Sequence, residues 1–199
     1  MISLAISTAS PALSLAMFDG DTCVAHDHRV IGRGHAEALV PAIAVLMAGQ
    51  RPADRLFVDI GPGSFTGIRI GIAAARALGL AWGVPVTGFS GAALIAAGAF
   101  CRRADLPSVL VLLDGGRKQI IASRFARDFR SDAPRTLSPE DIGAGEVVAG
   151  ATWLAPHGDH DIIDIGHPDA RNVMHLPTAL RGLAPTAHYL RPPDAILPL

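Results

Sequence analysis

The chain is short of cysteine, of lysine and of net charge. Its two cysteines, Cys23 and Cys101, are too few and too far apart for a disulfide framework or a cysteine metal site, and are expected to be buried thiols of a reducing compartment. Lys118 is the sole lysine and the formal charge is -1. No chain-wide basic field is left for nucleic acid, so strong direct RNA binding by this chain is disfavoured. No apolar run approaches the ~20 residues that cross a bilayer, because Arg76 and the pair Arg102-Arg103 interrupt the longest candidates. The N-terminus has no basic stretch ahead of its apolar residues, and a cytoplasmic protein is expected. Half of the 199 residues are apolar, enough to build the core of one domain or of two small lobes.

What is present centres on Gly61-Pro62-Gly63-Ser64-Phe65-Thr66-Gly67. The apolar run 56–60 suits a buried strand, the glycines and proline permit a sharp turn, and helical residues follow. Such a turn could bring backbone N–H groups and a helix N-terminus to an anion, or it could be a purely structural corner. It is no Walker loop, because the Gly-Lys-Ser/Thr element is missing. The helix expected over 67–82 puts Arg69 and Arg76 on one side, while Ile68, Ile70, Ile72, Ala74, Ala77, Leu78 and Ala81 cover most of the rest. A single core-facing stripe uses only part of that apolar surface. A second apolar neighbour is required, within the fold or on another chain.

In chain order, runs at 2–7, 12–18 and 22–30 read as an antiparallel meander. A helix over 35–48 follows, with Leu39, Ile43, Leu46 and Met47 on one face; Pro41 is expected to bend it or to confine its regular part to the C-terminal side. Glu37 is its sole charge from 36 to 49, so this helix too fits an interface as well as a core. A strand at 84–88, a helix from Gly91 to about Phe100 capped by Ser90, and a hairpin of 109–113 with 119–125 around Asp114-Gly115-Gly116 come next. This order indicates an α/β protein with a mixed sheet flanked by helices. Residues 128–139 read as a linker, Ser138-Pro139-Glu140-Asp141 as a helix start, 161–165 as alternating, and 174–183 as a helix; the Pro-rich end, 189–193, is expected to be extended.

Two constellations could carry chemistry. His157, His160 and His167 are interleaved with Asp159, Asp161, Asp164 and Asp169, which is the composition of a metal site, although the spacing fits solvated loop residues and no zinc pattern. Gly88-Phe89-Ser90-Gly91-Ala92 lies between strand and helix as a nucleophile elbow would, but Ala92 replaces the final glycine and a helix cap explains Ser90 equally.

The 61–71 segment, ending Gly67-Ile68-Arg69-Ile70-Gly71, resembles the TsaB (YeaZ) family, the bacterial partner subunit in threonylcarbamoyladenosine synthesis on tRNA. The likeness includes Leu4-Ala5-Ile6-Ser7-Thr8-Ala9, His35 with Leu39-Val40-Pro41, Val86-Thr87-Gly88-Phe89-Ser90, Leu113-Asp114-Gly115-Gly116-Arg117 and Tyr189-Leu190-Arg191; it covers the chain well as far as Phe125 and weakly beyond. The resemblance implies an actin-like, ribonuclease H-like ATPase fold of two lobes, here 1–104 with the glycine motif and 105–199 as a smaller lobe and tail. It implies a non-catalytic subunit without cofactor, pairing with a metal-bearing TsaD-type catalytic relative and a TsaE-type ATPase and reaching tRNA only through that complex; without the partner, the excess apolar surface of the 67–82 helix could be covered by a second copy in a homodimer. The alternative is an enzyme in its own right, a carbamoyltransferase or a peptidase. The relative's His-x-x-x-His pair has no counterpart in Ser90-Gly91-Ala92-Ala93-Leu94, and the family's usual Ile-Asp-Thr is Ile6-Ser7-Thr8 here. The residues expected to meet the partner are His35, Leu39, Ile43, Arg69, Ile70, Ala74, Ala77 and Ala81.

Overall fold

A computed structural model describes residues 1–115, 119–155 and 159–190. Apolar residues give the buried strands β1 (Ile2–Ser7) and β2 (Ala12–Asp19), and the more polar β3 (Thr22–Val30) pairs antiparallel with β2, completing the meander that the sequence indicated. Helix α1 (His35–Leu46) leads to β4 (Arg55–Asp59), which lies parallel to β1. Helix α2 (Phe65–Trp82) then crosses over to β5 (Val86–Phe89), parallel to β4, so the first sheet has the order β3-β2-β1-β4-β5. Helix α3 (Gly91–Arg102) opens the way to a second sheet of β6 (Ser108–Asp114), β7 (Ile120–Ala126), β8 (Arg135–Leu137), β9 (Val147–Gly150) and β10 (Asp161–Ile163), ordered β10-β9-β6-β7-β8. Two mixed five-stranded sheets flanked by helices realise the expected actin-like α/β architecture.

The alternation along each strand decides the layering. Leu4, Ile6, Leu13, Leu15, Leu56 and Val58 project from one face of the first sheet onto α1 and α2. Ala5, Ala16, Phe18, Phe57 and Phe89 project from the other face onto α3, whose far side meets Val109, Val111, Ile121 and Phe125 of the second sheet. Sandwiched in this way, α3 is buried at every position from Gly91 to Phe100, which explains why it is apolar all round. Residues beyond the expected division at 104 return to the first sheet: Ala170 N–H donates to Ser14 Oγ at 2.9 Å, and Leu183 pairs with Gly88 on the open edge of β5.

Several expectations are corrected. Helix α1 runs from His35 through Pro41 to Leu46, so of the two effects expected of the proline, confinement of the helix to its C-terminal side does not occur. The 128–139 linker contains β8, and the expected helices at 138 and at 174–183 are 3-10 turns at Pro139–Asp141, Ala170–His175 and Thr178–Leu180. Both cysteines are exposed rather than buried. The hairpin turn at Gly116 and the tail from Arg191 lie outside the described residues.

Candidate functional site

Helix α2 buries Ile68, Ile72 and Ala75 against the first sheet, with Gly71 and Gly79 letting it sit close. Its outward arc consists of Arg69, Ala73, Arg76, Ala77, Leu80 and Ala81, while Ile70 and Ala74 are half-buried at the margin. On α1 the expected contact residues His35, Leu39 and Ile43 face inward and belong to the chain's own core. They recur one turn apart along a single arc of the helix, and it is this arc that packs on the sheet. The outward side of α1 is made instead by Val40, Pro41, Ala44 and Val45. Val40, Val45 and Leu80 are 65%, 77% and 87% exposed. These are branched aliphatic side chains left in water on two helices that pack against each other. Such a face is what a docking partner covers.

One margin of this face is fixed by the C-terminal segment. Gly88 N–H donates to Leu183 O at 2.7 Å and His188 N–H to Ile60 O at 2.8 Å, which lays residues 183–189 beside α2. Arg76 Nη2 donates to Pro185 O at 2.8 Å, and Arg69 Nε donates to Tyr189 Oη at 2.9 Å. The Arg69 guanidinium carbon lies 3.6 Å from the Phe65 ring centroid, and Phe65 is itself 4.7 Å from the Tyr189 ring. A cation over one aromatic ring, with its Nε donating to the hydroxyl of a second, is a restrained side chain.

Beneath the helices, the glycine motif is occupied by its own chain. A Cβ on Gly63 or Gly67 would run into the carbonyl oxygens of Ala9 and Thr8. Ser64 N–H donates to Ala9 O at 2.7 Å, and Thr8 Oγ1 donates to Gly67 O at 2.7 Å. The motif glycines therefore admit the β1–β2 loop, and Ser64 caps α2 by accepting Gly67 N–H at 3.2 Å. Asp59, at the end of β4, closes the same junction. Its Oδ2 accepts from Ser7 Oγ at 2.7 Å and its Oδ1 from Gly61 N–H at 2.9 Å and Gly91 N–H at 3.0 Å. Burial pushes its carboxyl up to about 6, against the opposing pull of those three donors. The cap of α3 is thus Asp59; the Ser90 side chain makes no capping bond. Sequence reasoning passed over Asp59, although an acid closing an apolar strand just before a glycine turn was a visible sign.

Between the two sheets lies a cleft of about 540 Å³, lined by residues including Phe65, Asp114, Trp153, His167 and Tyr189. The Trp153 and His167 rings lie 5.4 Å apart at a tilt of 58°, and burial lowers the imidazole's basicity. The suspected histidine cluster is dispersed: Asp161 pairs with Arg103 and Asp169 with Arg171, and among the described residues no three ligating side chains converge on a metal position. His157 lies outside the described residues.

Comparison with known proteins identifies the family. The profile of the family described as TsaD, tRNA N6-adenosine threonylcarbamoyltransferase, matches residues 29–152. The tRNA threonylcarbamoyladenosine biosynthesis protein TsaB of Bacillus subtilis is 32% identical over 204 residues, which cover 98% of this chain and 85% of that one. The chain belongs to the TsaB family. An uncharacterised protein of Mycobacterium leprae is likewise 32% identical over 98% of the chain, which spans only 56% of that protein's length. The structure of YeaZ from Pseudomonas aeruginosa superposes with a TM-score of 0.73 at 24% identity, covering 87% of this chain and 89% of its own, and so shares the TsaB fold. Membership places the chain in threonylcarbamoyladenosine biosynthesis. Among the described residues, no helix is long and apolar enough to cross a membrane.

Proposed function

We propose that this chain is a non-catalytic cytoplasmic subunit that docks a TsaD-type catalytic subunit through the outward faces of α1 and α2, with a TsaE-type ATPase joining the pair and tRNA reached only through the assembly. The exposed trio Val40, Val45 and Leu80 carries the reading, because a monomer gains nothing from branched aliphatic side chains held in water on adjoining helices. Asp59 supports it from inside. The one carboxylate at the motif is 1% exposed and spends its acceptors on Ser7, Gly61 and Gly91, as a structural cap does. Without the catalytic partner the same face is available to a second copy.

The test is a titration of the purified chain with the purified TsaD-type subunit of the same organism, comparing wild type with Leu80→Glu. The introduced carboxylate replaces apolar contact and must lose its water at the interface, even with Arg76 one turn away as a neighbour, at a cost of roughly 3 kcal/mol, so affinity should fall about a hundredfold. At 87% exposure Leu80 contributes little to the monomer, whose melting temperature should stay put. Unchanged affinity would place the interface elsewhere. Ala74→Glu is the poorer probe, because Ala74 is half-buried against the α2 core.

A further inference from the structure

We propose that Arg69 and Arg76 form a paired clamp at the margin of the docking face, and that each receives a carboxylate of the catalytic partner. The proposal rests on the docking reading above and specifies the partner's surface chemistry. Both arginines are exposed, and neither forms an ion pair among the described residues. Each is held by a single bond to the C-terminal segment. Arg69 uses only Nε, on Tyr189, and leaves both terminal nitrogens unbonded; Arg76 uses only Nη2, on Pro185. A guanidinium anchored through one nitrogen has already lost much of its rotamer freedom, and its free N–H groups are set to receive a carboxylate. Seven residues apart, the two lie on one side of α2 and about 10 Å apart along its axis. Leu80, Ala73 and Ala77 form the apolar stripe beside them.

Charge selects the occupant. Helix α2 carries no acidic residue and α1 carries only Glu37. A second copy related by a two-fold axis would bring this face against itself, setting four arginines against two glutamates. A different chain with an apolar stripe flanked by two acidic side chains satisfies both arginines. The clamp therefore favours assembly with the catalytic partner over self-association.

The experiment measures the affinity of the TsaD-type subunit for the full chain at low and at high salt, alongside the chain's own self-association by sedimentation. The double variant Arg69→Gln/Arg76→Gln should bind the partner roughly ten- to hundredfold more weakly and lose most of the salt dependence, with self-association unchanged or strengthened. Tyr189→Phe keeps the ring packed against Phe65 but frees Arg69 Nε, and should weaken binding less than the double variant. Should the double variant lower the melting temperature, Arg69→Lys replaces it, since lysine keeps the charge and lacks the planar fork; a loss of at least threefold then supports the clamp. Leu80→Glu separates the two readings. If that variant abolishes binding while the arginine variants bind as wild type, the clamp is wrong and the docking face stands. If all of them bind as wild type, the docking reading fails and the clamp with it. Self-association that collapses in the double variant, with partner binding intact, would overturn the assignment in favour of a second copy.

Discussion

Asp59→Asn isolates the only deeply buried carboxylate described at the motif and has a signed, pH-dependent consequence. In the folded chain the carboxyl titrates near 6, raised from its ordinary 3.8 by burial. Between those values the native state holds a proton that the unfolded chain has released, so stability falls as pH rises through that window. Below about 3.8 the stabilising contribution of the neutral acid is complete, and above about 6 it is gone; the whole swing is about 3 kcal/mol. Asparagine keeps the geometry. Its amide oxygen can accept from Gly61 and Gly91 N–H where Oδ1 did, and its amide nitrogen can donate to Ser7 Oγ. Denaturant unfolding of both proteins at intervals from pH 4 to 7.5 yields a difference curve in which all other titrations cancel. The asparagine variant should gain about 2.5 kcal/mol on wild type across that range, the rest of the swing lying below pH 4, equivalent to roughly 5–10 °C in melting temperature for a chain of this size. Asp59→Ala leaves three buried donors without an acceptor and should lose at least ~3 kcal/mol at every pH. A flat difference curve for Asp59→Asn would show that the carboxyl does not titrate in this window, and the desolvation argument would be refuted.

Other outcomes follow from packing. Ile68→Ala, at a fully buried position under α2, should lower unfolding free energy by about 2–5 kcal/mol. Gly67→Ala adds a better helix former but drives its methyl into Thr8 O, and a net loss of about 1–3 kcal/mol is expected in thermal melts. At the C-cap of α2, Gly83 has φ +67 and open space beyond its Cα, so Gly83→Ala should cost only about 1 kcal/mol, all of it backbone strain.

Sequence pattern located the elements wherever one period dominated a long enough stretch. The meander, α1, α2, β5 and the β6–β7 pair emerged within a few residues of their observed bounds, and the motif turn emerged with them. Short elements did not: β8 has three residues directly after Pro134, β9 has four, and neither is long enough to display an alternation. The charge-poor surface of α1 and α2 was legible, but its orientation was not. On a helix with apolar residues nearly all round, periodicity does not say which arc the sheet takes, and the regular stripe His35, Leu39, Ile43 went to the core while Val40 and Val45 face water. Nor could it anticipate that residues 183–189, more than a hundred positions away, would lie along α2 and hold Arg69 and Arg76. The caps misled for a similar reason: Ser90 stands where a local cap belongs, yet Asp59 reaches Gly91 N–H from a neighbouring strand.

Docking through α1 and α2 is tested most directly by site-specific photocrosslinking to the TsaD-type subunit. A photoreactive side chain is placed singly at Val45, Leu80, Val24 and Ile162, four exposed apolar positions of which the first two lie on the outward helical face and the others on β3 and β10. Adducts with the catalytic subunit should form from Val45 and Leu80 and be absent from Val24 and Ile162. Adducts from β3 or β10, with none from the helices, would contradict the account.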